Sequence, residues 1–222
     1  MILWVGYAAF VLIVAYLLGS IPTGYWLGKL LKGIDIREHG SKSTGATNVL
    51  RTLGKGPAVV TLLIDILKGA TAVWFARWFY TQVNFVAAPP NLTLGQWLPW
   101  ITTLAALMAV LGHSRSIWIQ FTGGKSAATG LGVLLAMAWQ VGLGIFIVFG
   151  LTLAAFRIVS LGSIAAAVAA MILMWVFQQP LAYQLVAVVG GLFVIWRHQA
   201  NIQRLLAGTE PRLGQQPSNV NQ

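Results

Sequence analysis

The feature that most constrains this 222-residue chain is how far it runs without a charge. Met1–Leu18 carries none, Gln96–Leu111 carries none, and Ala127–Phe156 is neutral over thirty residues. A helix needs roughly 20 mainly apolar residues to cross the hydrocarbon of a bilayer. Only 8% of the chain is Asp, Glu, Lys or Arg, whereas soluble domains carry about 25%. Such a chain cannot cover its own surface in water, and the mean hydropathy of +0.78 agrees. The sequence predicts an all-α integral membrane protein. Further spans are Pro57–Phe79, interrupted by Asp65, Lys68 and Arg77, then Leu161–Phe177 and Leu181–Trp196, separated by Gln178-Gln179-Pro180. Thirty neutral residues are too many for one helix, and Gly142 and Gly144 suggest a turn within them. The expectation is about seven transmembrane helices.

Charge sets the orientation, because Lys and Arg concentrate in cytoplasmic connections. With the N-terminus outside, twelve of the fourteen cations fall on the cytoplasmic side: Lys29, Lys32, Arg37, Lys42, Arg51, Lys55, Arg115, Lys125, Arg157, Arg197, Arg204 and Arg212. The outer connection Tyr80–Leu94 holds no Lys or Arg. The reading is N-terminus outside and C-terminus cytoplasmic. No signal peptide is expected, since the first segment lacks a basic lead. Residues 1–208 read as one multi-pass membrane domain, and 209–222, with Pro211 and Pro217, as a polar, disordered cytoplasmic tail.

The polar chemistry collects on the same side. The first loop, Gly40-Ser41-Lys42-Ser43-Thr44-Gly45-Ala46-Thr47-Asn48 with Arg51, offers convergent amides, hydroxyls and two cations. Such a concavity binds phosphate, and it would serve equally as a solvated turn with a Ser/Thr cap. The second, Gly123-Gly124-Lys125-Ser126, ends like a nucleotide-binding loop, but Ile119 stands where that motif needs glycine. An oxyanion pocket or a capped topology anchor remain as readings. Arg157 to Ser160 and Arg197-His198 to Asn201 and Arg204 are further interfacial clusters, with His198 and Asn201 one helical turn apart. Asp65 and Lys68, three residues apart within a span, can pair, and ionisable groups at that depth are functional candidates. With no cysteine, three histidines and four acids, thiol chemistry is excluded and a metal site is not expected.

In this order the blocks resemble the acyl-phosphate-dependent glycerol-3-phosphate acyltransferases, the PlsY family. They run from Gly19-Ser20-Ile21-Pro22-Thr23-Gly24 and Asp35-Ile36-Arg37 through Gly40–Arg51, Asp65-Ile66-Leu67-Lys68-Gly69 and Gly112-His113. Phe121–Lys125, Arg157–Ser160, Arg197–Ile202 and Gly208-Thr209-Glu210 continue them. The resemblance implies seven helices, an external N-terminus and a cytoplasmic active site. It implies acyl transfer from acyl phosphate to the sn-1 hydroxyl of glycerol 3-phosphate, giving lysophosphatidic acid and phosphate. It makes Ser41, Arg51, His198 and Asn201 the catalytic set. It makes Gly123, Gly124, Lys125 and Ser160 phosphate ligands and Glu210 a support; the loop and span readings above add Ser43, Thr44, Gly45, Thr47, Asn48 and Ser126 as phosphate ligands and Asp65, Lys68 and Arg157 as supports. Lys42-Ser43, Ser114 and Ser126 depart from the family pattern.

Acyl phosphate is an activated mixed anhydride, so direct attack by the hydroxyl suffices, with the proton passing to the departing phosphate or to His198. The His-x₄-Asp of acyl-CoA-dependent acyltransferases is absent: the fifth residues after His39, His113 and His198 are Thr44, Trp118 and Gln203. The expected partners are the two substrates and the bilayer, in the inner membrane of a bacterium, with a monomeric chain and no cofactor, metal or nucleic acid. The alternative is a carrier of small organic anions with Asp65 and Lys68 in its path. Carriers tend to show paired halves with broken helices, and no internal repeat is visible.

Overall fold

The structure, a computed structural model, describes residues 2–82 and 93–215. Helix α1 (Ile2–Ser20) is uncharged, and the chain leaves helical geometry at Ile21-Pro22. Helix α2 (Thr23–Lys32) is amphipathic: Lys29 and Lys32 lie in its last turn, while Leu30 is 81% exposed. It ends on Gly33 in the left-handed region (φ 67°), which only glycine adopts without steric cost. A 3₁₀ turn (Ile36–Glu38) and the short α3 (Ala46–Thr52) frame the first polar loop. Then come α4 (Lys55–Gln82) and α5 (Leu94–Ser114), and a tight hairpin in which Ser116 N–H donates to Thr122 O (3.1 Å). Helices α6 (Ala127–Met137), α7 (Trp139–Phe156), α8 (Val159–Val176), α9 (Leu181–Arg197) and α10 (Gln199–Leu206) complete an all-helical bundle.

Among the described residues, five segments are long and apolar enough to cross a membrane: Trp4–Lys32 (α1 and α2 together), α4, α5, α7 and α8. A sixth is counted if α9 and α10, bent by 60°, form one broken span. Helix α6 is apolar, but its eleven residues rise only about 16 Å, roughly half the hydrocarbon thickness. The thirty-residue neutral run does divide in two, but at Ala138 (φ −147°, ψ 89°) rather than at Gly142 and Gly144. These glycines are contact points. A methyl at Gly142 would overlap the main chain of Leu135, and one at Gly144 would strike the Leu173 side chain. The glycines let helices approach closely, which is the main source of cohesion where lipid is as apolar as protein. Because α6 stops short, its terminal carbonyls need partners, and the Arg77 guanidinium donates to Ala136 O (3.2 Å). That explains why a cation sits toward the far end of α4 from the polar loops.

The core is a set of small-residue seams. On α4 the buried positions Thr61, Asp65, Lys68, Gly69, Ala72, Ala76 and Tyr80 recur at helical spacing, so Asp65 and Lys68 face inward with the alanines. Gly69 rests on Thr129 O and Gly132 on Ile66 O, locking α4 to α6. Val73, Val110, Val133, Met137, Val141 and Met174 fill the interior between α4 and α9. A second cluster, Val11, Ala15, Ala105 and Ala109 with Tyr80 and Ile101, binds α1 to α4 and α5. The polar ends of the helices gather at one end of the bundle. There Ser116 Oγ donates to Ser20 O (2.5 Å), joining the hairpin to the end of α1.

The seam predicts a selective sensitivity. Gly132→Ala should destabilise by about 1–3 kcal/mol through overpacking against the α4 main chain. Gly150→Ala, which meets nothing within 4 Å, should leave thermal unfolding in detergent unchanged. Equal effects at both positions would refute the close-packing role of Gly132.

Candidate active site

The first polar loop takes its shape from Asn48, which is 1% exposed. Its Oδ1 accepts from Ser41 N–H (2.8 Å), and its Nδ2 donates to Ile36 O, His39 O and Ser43 O (3.0, 3.0 and 2.8 Å). Asn48, expected to bind phosphate, has its side chain committed to the loop, and it occupies the Ser41 amide as well. Thr44 is buried with its carbonyl against Gly24, so it braces the loop on α2. Ser41, Ser43, Gly45, Thr47 and Arg51 are left lining a cavity of about 240 Å³.

The second loop is held from beneath by the end of α5. Gly124 N–H donates to His113 O (3.1 Å), and Gly124 O accepts from Ser114 Oγ (3.0 Å) and the Arg197 guanidinium (3.1 Å). Gly123 and Gly124 are required small because a methyl at either would overlap His113, on its carbonyl or its ring. Gly123 and Gly124 pack on the end of α5 and are not among the cavity-lining residues, whereas Lys125 is. Ser126 has φ 64°, a conformation that favours glycine, and its Oγ hydrogen-bonds Ser114 Oγ (2.8 Å) and Val110 O (2.8 Å). Two of the departures from the family pattern, Ser114 and Ser126, therefore touch each other. The Ser126 hydroxyl reaches the cavity wall with its bonds already made to α5.

Opposite stands a network centred on Glu210. Its Oε1 accepts from Ser160 Oγ (2.7 Å) and Asn201 Nδ2 (2.6 Å), and its Oε2 from Arg204 Nε (2.6 Å). Burial alone would raise this carboxyl, but the three donors hold it below the usual carboxylate range. Asn201 Oδ1 in turn accepts from the Lys125 ammonium, so the network closes across the cavity mouth. Burial pushes Lys125 down to about 8; Glu210 opposes this, and Arg204, Arg197 and Arg51 add to it. Arg51, half-buried, is also lowered by burial. At the end of α9, His198 Nδ1 lies 2.8 Å from Val194 O, which leaves Nε2 as the free nitrogen on the cavity wall.

Lys68 Nζ meets Asp65 Oδ1 (2.7 Å) and donates to Ile21 O (2.8 Å), so the expected pairing is present. Asp65 lines the cavity and Lys68 does not. Arg157 donates to Leu213 O (3.0 Å) and accepts Leu213 N–H at its own carbonyl (2.6 Å). Together with Glu210 this ties residues 209–213 to the site, where the sequence suggested a disordered tail; 216–222 lie outside the described residues. So do 83–92, most of the connection expected on the outer side, with Pro89-Pro90. Among the described residues no three His, Asp or Glu side chains gather as a metal centre requires.

The site also contains residues to which sequence reasoning gave no role: His113 and Ile66, named above only within motifs, together with Ser163 and an apolar wall from Phe146, Phe149, Ala166, Ala170 and Val186. In a chain this apolar, a residue lining a cavity cannot be told by type from one facing lipid.

The comparisons bear on the family and the fold. The family model described as glycerol-3-phosphate acyltransferase matches residues 9–208. A glycerol-3-phosphate acyltransferase from Acaryochloris marina is 60% identical over 216 residues, covering 97% of this chain and 96% of its own. A glycerol-3-phosphate acyltransferase 2 from Rhizobium johnstonii is 59% identical over 217 residues, covering 96% and 99%. The solved structure of PlsY (YgiH), an integral membrane glycerol 3-phosphate acyltransferase, in its glycerol 3-phosphate form is 39% identical and superposes with a TM-score of 0.81. The match covers 94% of this chain and 96% of that one. The lysophosphatidic acid form of that enzyme gives 0.78 at 38% identity, with the same coverage. An integral, multi-pass membrane protein with this fold and this polar end, the chain belongs to the glycerol-3-phosphate acyltransferase family.

Proposed function

We propose that the chain transfers an acyl group from acyl phosphate to the sn-1 hydroxyl of glycerol 3-phosphate, producing lysophosphatidic acid and phosphate. The observation that carries this is the continuity of one cavity from a cationic mouth, with Lys125 and Arg51, to an apolar interior of Ala166, Ala170, Ile145 and Val186. A phosphorylated head belongs at the mouth and a fatty chain inside or in adjoining lipid. Exposing a chain of about fourteen methylenes to water would cost roughly 11 kcal/mol, so the chemistry has to sit where oil and water meet.

In the reaction the glycerol oxygen attacks the acyl carbonyl carbon, the carbonyl–O(phosphate) bond breaks, and phosphate departs. The hydroxyl proton goes to the leaving phosphate or to His198 Nε2. Lys125 and Arg51 neutralise phosphate charge, Ser41, Ser43, Gly45 and Thr47 offer further donors, and Ser160 and Asn201 are oriented by Glu210. The mouth lies on the cytoplasmic side of the bacterial inner membrane. The chain is a monomer with its N-terminus outside and seven apolar helices crossing or entering the bilayer, the short α6 among them. Residues 1–208 form the catalytic domain. A carrier role is less well supported, because Lys68 is spent on Asp65 and Ile21 O, away from the cavity.

Purified protein given acyl phosphate and glycerol 3-phosphate, without coenzyme A, should form lysophosphatidic acid. Product no greater than in a heat-killed control would retire the proposal. Lys125→Ala should raise KM for glycerol 3-phosphate about 10- to 100-fold, the worth of a charge-assisted contact. An unchanged KM would reassign Lys125 to topology.

A second expectation concerns pH. The ammonium is present below about 8 and is lost above it, so kcat/KM for glycerol 3-phosphate should fall as pH rises through that value. Lys125→Arg keeps the charge and should move the fall to higher pH. Identical profiles would remove Lys125 as its source.

A further inference from the structure

Resting on that reading, we infer that His113 is a positioning residue: its imidazole, anchored on Asp65, sets the register of the Gly123–Lys125 segment and thereby places the Lys125 ammonium. His113 is the penultimate residue of α5 and is only 6% exposed. It grips the loop at two points. Its carbonyl accepts the Gly124 N–H (3.1 Å), and its ring lies so close to Gly124 that a methyl there would overlap Nε2. Behind the ring, Nδ1 faces Asp65 Oδ1 at 3.5 Å. Asp65 is held by Lys68 at 2.7 Å, and Lys68 by Ile21 O at 2.8 Å. A buried polar chain thus runs from the end of α1 through α4 and α5 to the loop that carries Lys125.

Its position argues for function rather than for cohesion alone. Charged groups deep in a membrane protein are costly, and a well-packed apolar set of similar volume often serves stability as well or better. Here the charges end against the segment that supplies a substrate-facing cation, and both Asp65 and His113 line the cavity. Lys125 reaches Asn201 across the mouth only if its backbone stays where the ring holds it. Nδ1 is the nitrogen turned to Asp65, so Nε2 is the one that lies against Gly124. The imidazole therefore acts through Lys125, whose ammonium it places.

The test is a double-mutant cycle on the full chain in detergent, with initial rates measured while acyl phosphate and glycerol 3-phosphate are varied. Wild-type turnover without coenzyme A establishes the reaction beforehand. His113→Ala should reproduce the Lys125→Ala signature, a loss of about 10- to 100-fold carried by KM for glycerol 3-phosphate. On a Lys125→Ala background, His113→Ala should change kcat/KM by less than about twofold. If His113→Ala does not fold, Gly124→Ala presses on the same ring from the loop side and should give the same KM rise and the same absence of further loss. Single effects that multiply in the double variant, or an unchanged KM, would overturn the positioning role while leaving the reaction of the active wild-type enzyme standing.

Discussion

Hydrocarbon offers no hydrogen-bond partner, so each polar group this chain carries into a bilayer must bring its own. Much of the interior meets that demand, although the buried hydroxyls of Tyr80, Thr102 and Thr129 have no partner among the described residues. Lys68 finds Asp65 and Ile21 O, Thr103 Oγ1 donates to Ala182 O, and Arg77 covers Ala136 at the end of a helix too short to span. The remaining polarity is driven to one end of the bundle, where water is available. Concentrating the scarce charge in one place creates a cation-rich mouth above an apolar cavity.

Cations gathered this tightly repel one another, and Glu210 answers that at the mouth. As a carboxylate it accepts from Ser160 on α8, Asn201 on α10 and Arg204, and through Asn201 it is linked to Lys125 across the cavity. Truncating one partner of such a buried set leaves the others uncompensated, typically at several kcal/mol. The anchoring of residues 209–213 follows from this, since Glu210 can serve only if the chain after α10 folds back over the site. Asn48 does comparable work in the first loop, spending its amide on four main-chain groups so that Ser41, Ser43 and Arg51 keep fixed positions.

Much of this was legible in the sequence because charge is rare here. With so few polar residues, their order along the chain gave the membrane class, the polar end and most of the polar cavity-lining residues, from Ser41 and Arg51 to His198 and Asn201. The turn at Gln178-Gln179-Pro180 was equally plain. The break at Ala138 was not, because glycines read as hinges can equally be contact points, and only the packing of Gly142 on Leu135 distinguishes the two. The commitments of Asn48 and Ser126 were hidden for a related reason. A polar residue in a glycine-rich loop has the same composition whether it faces substrate or main chain. His113 could not be weighted from sequence, since Asp65 and Gly124 lie 48 and 11 residues away.

The central claim is that all four polar clusters share one side of the membrane. Because the chain has no cysteine, single cysteines at the exposed positions Lys42, Arg115 and Gln203 can be probed one at a time with a membrane-impermeant maleimide. All three should label in inverted inner-membrane vesicles and stay protected in right-side-out ones. Labelling of any one of them from the opposite side would contradict the account, because no common phosphate site could then be assembled.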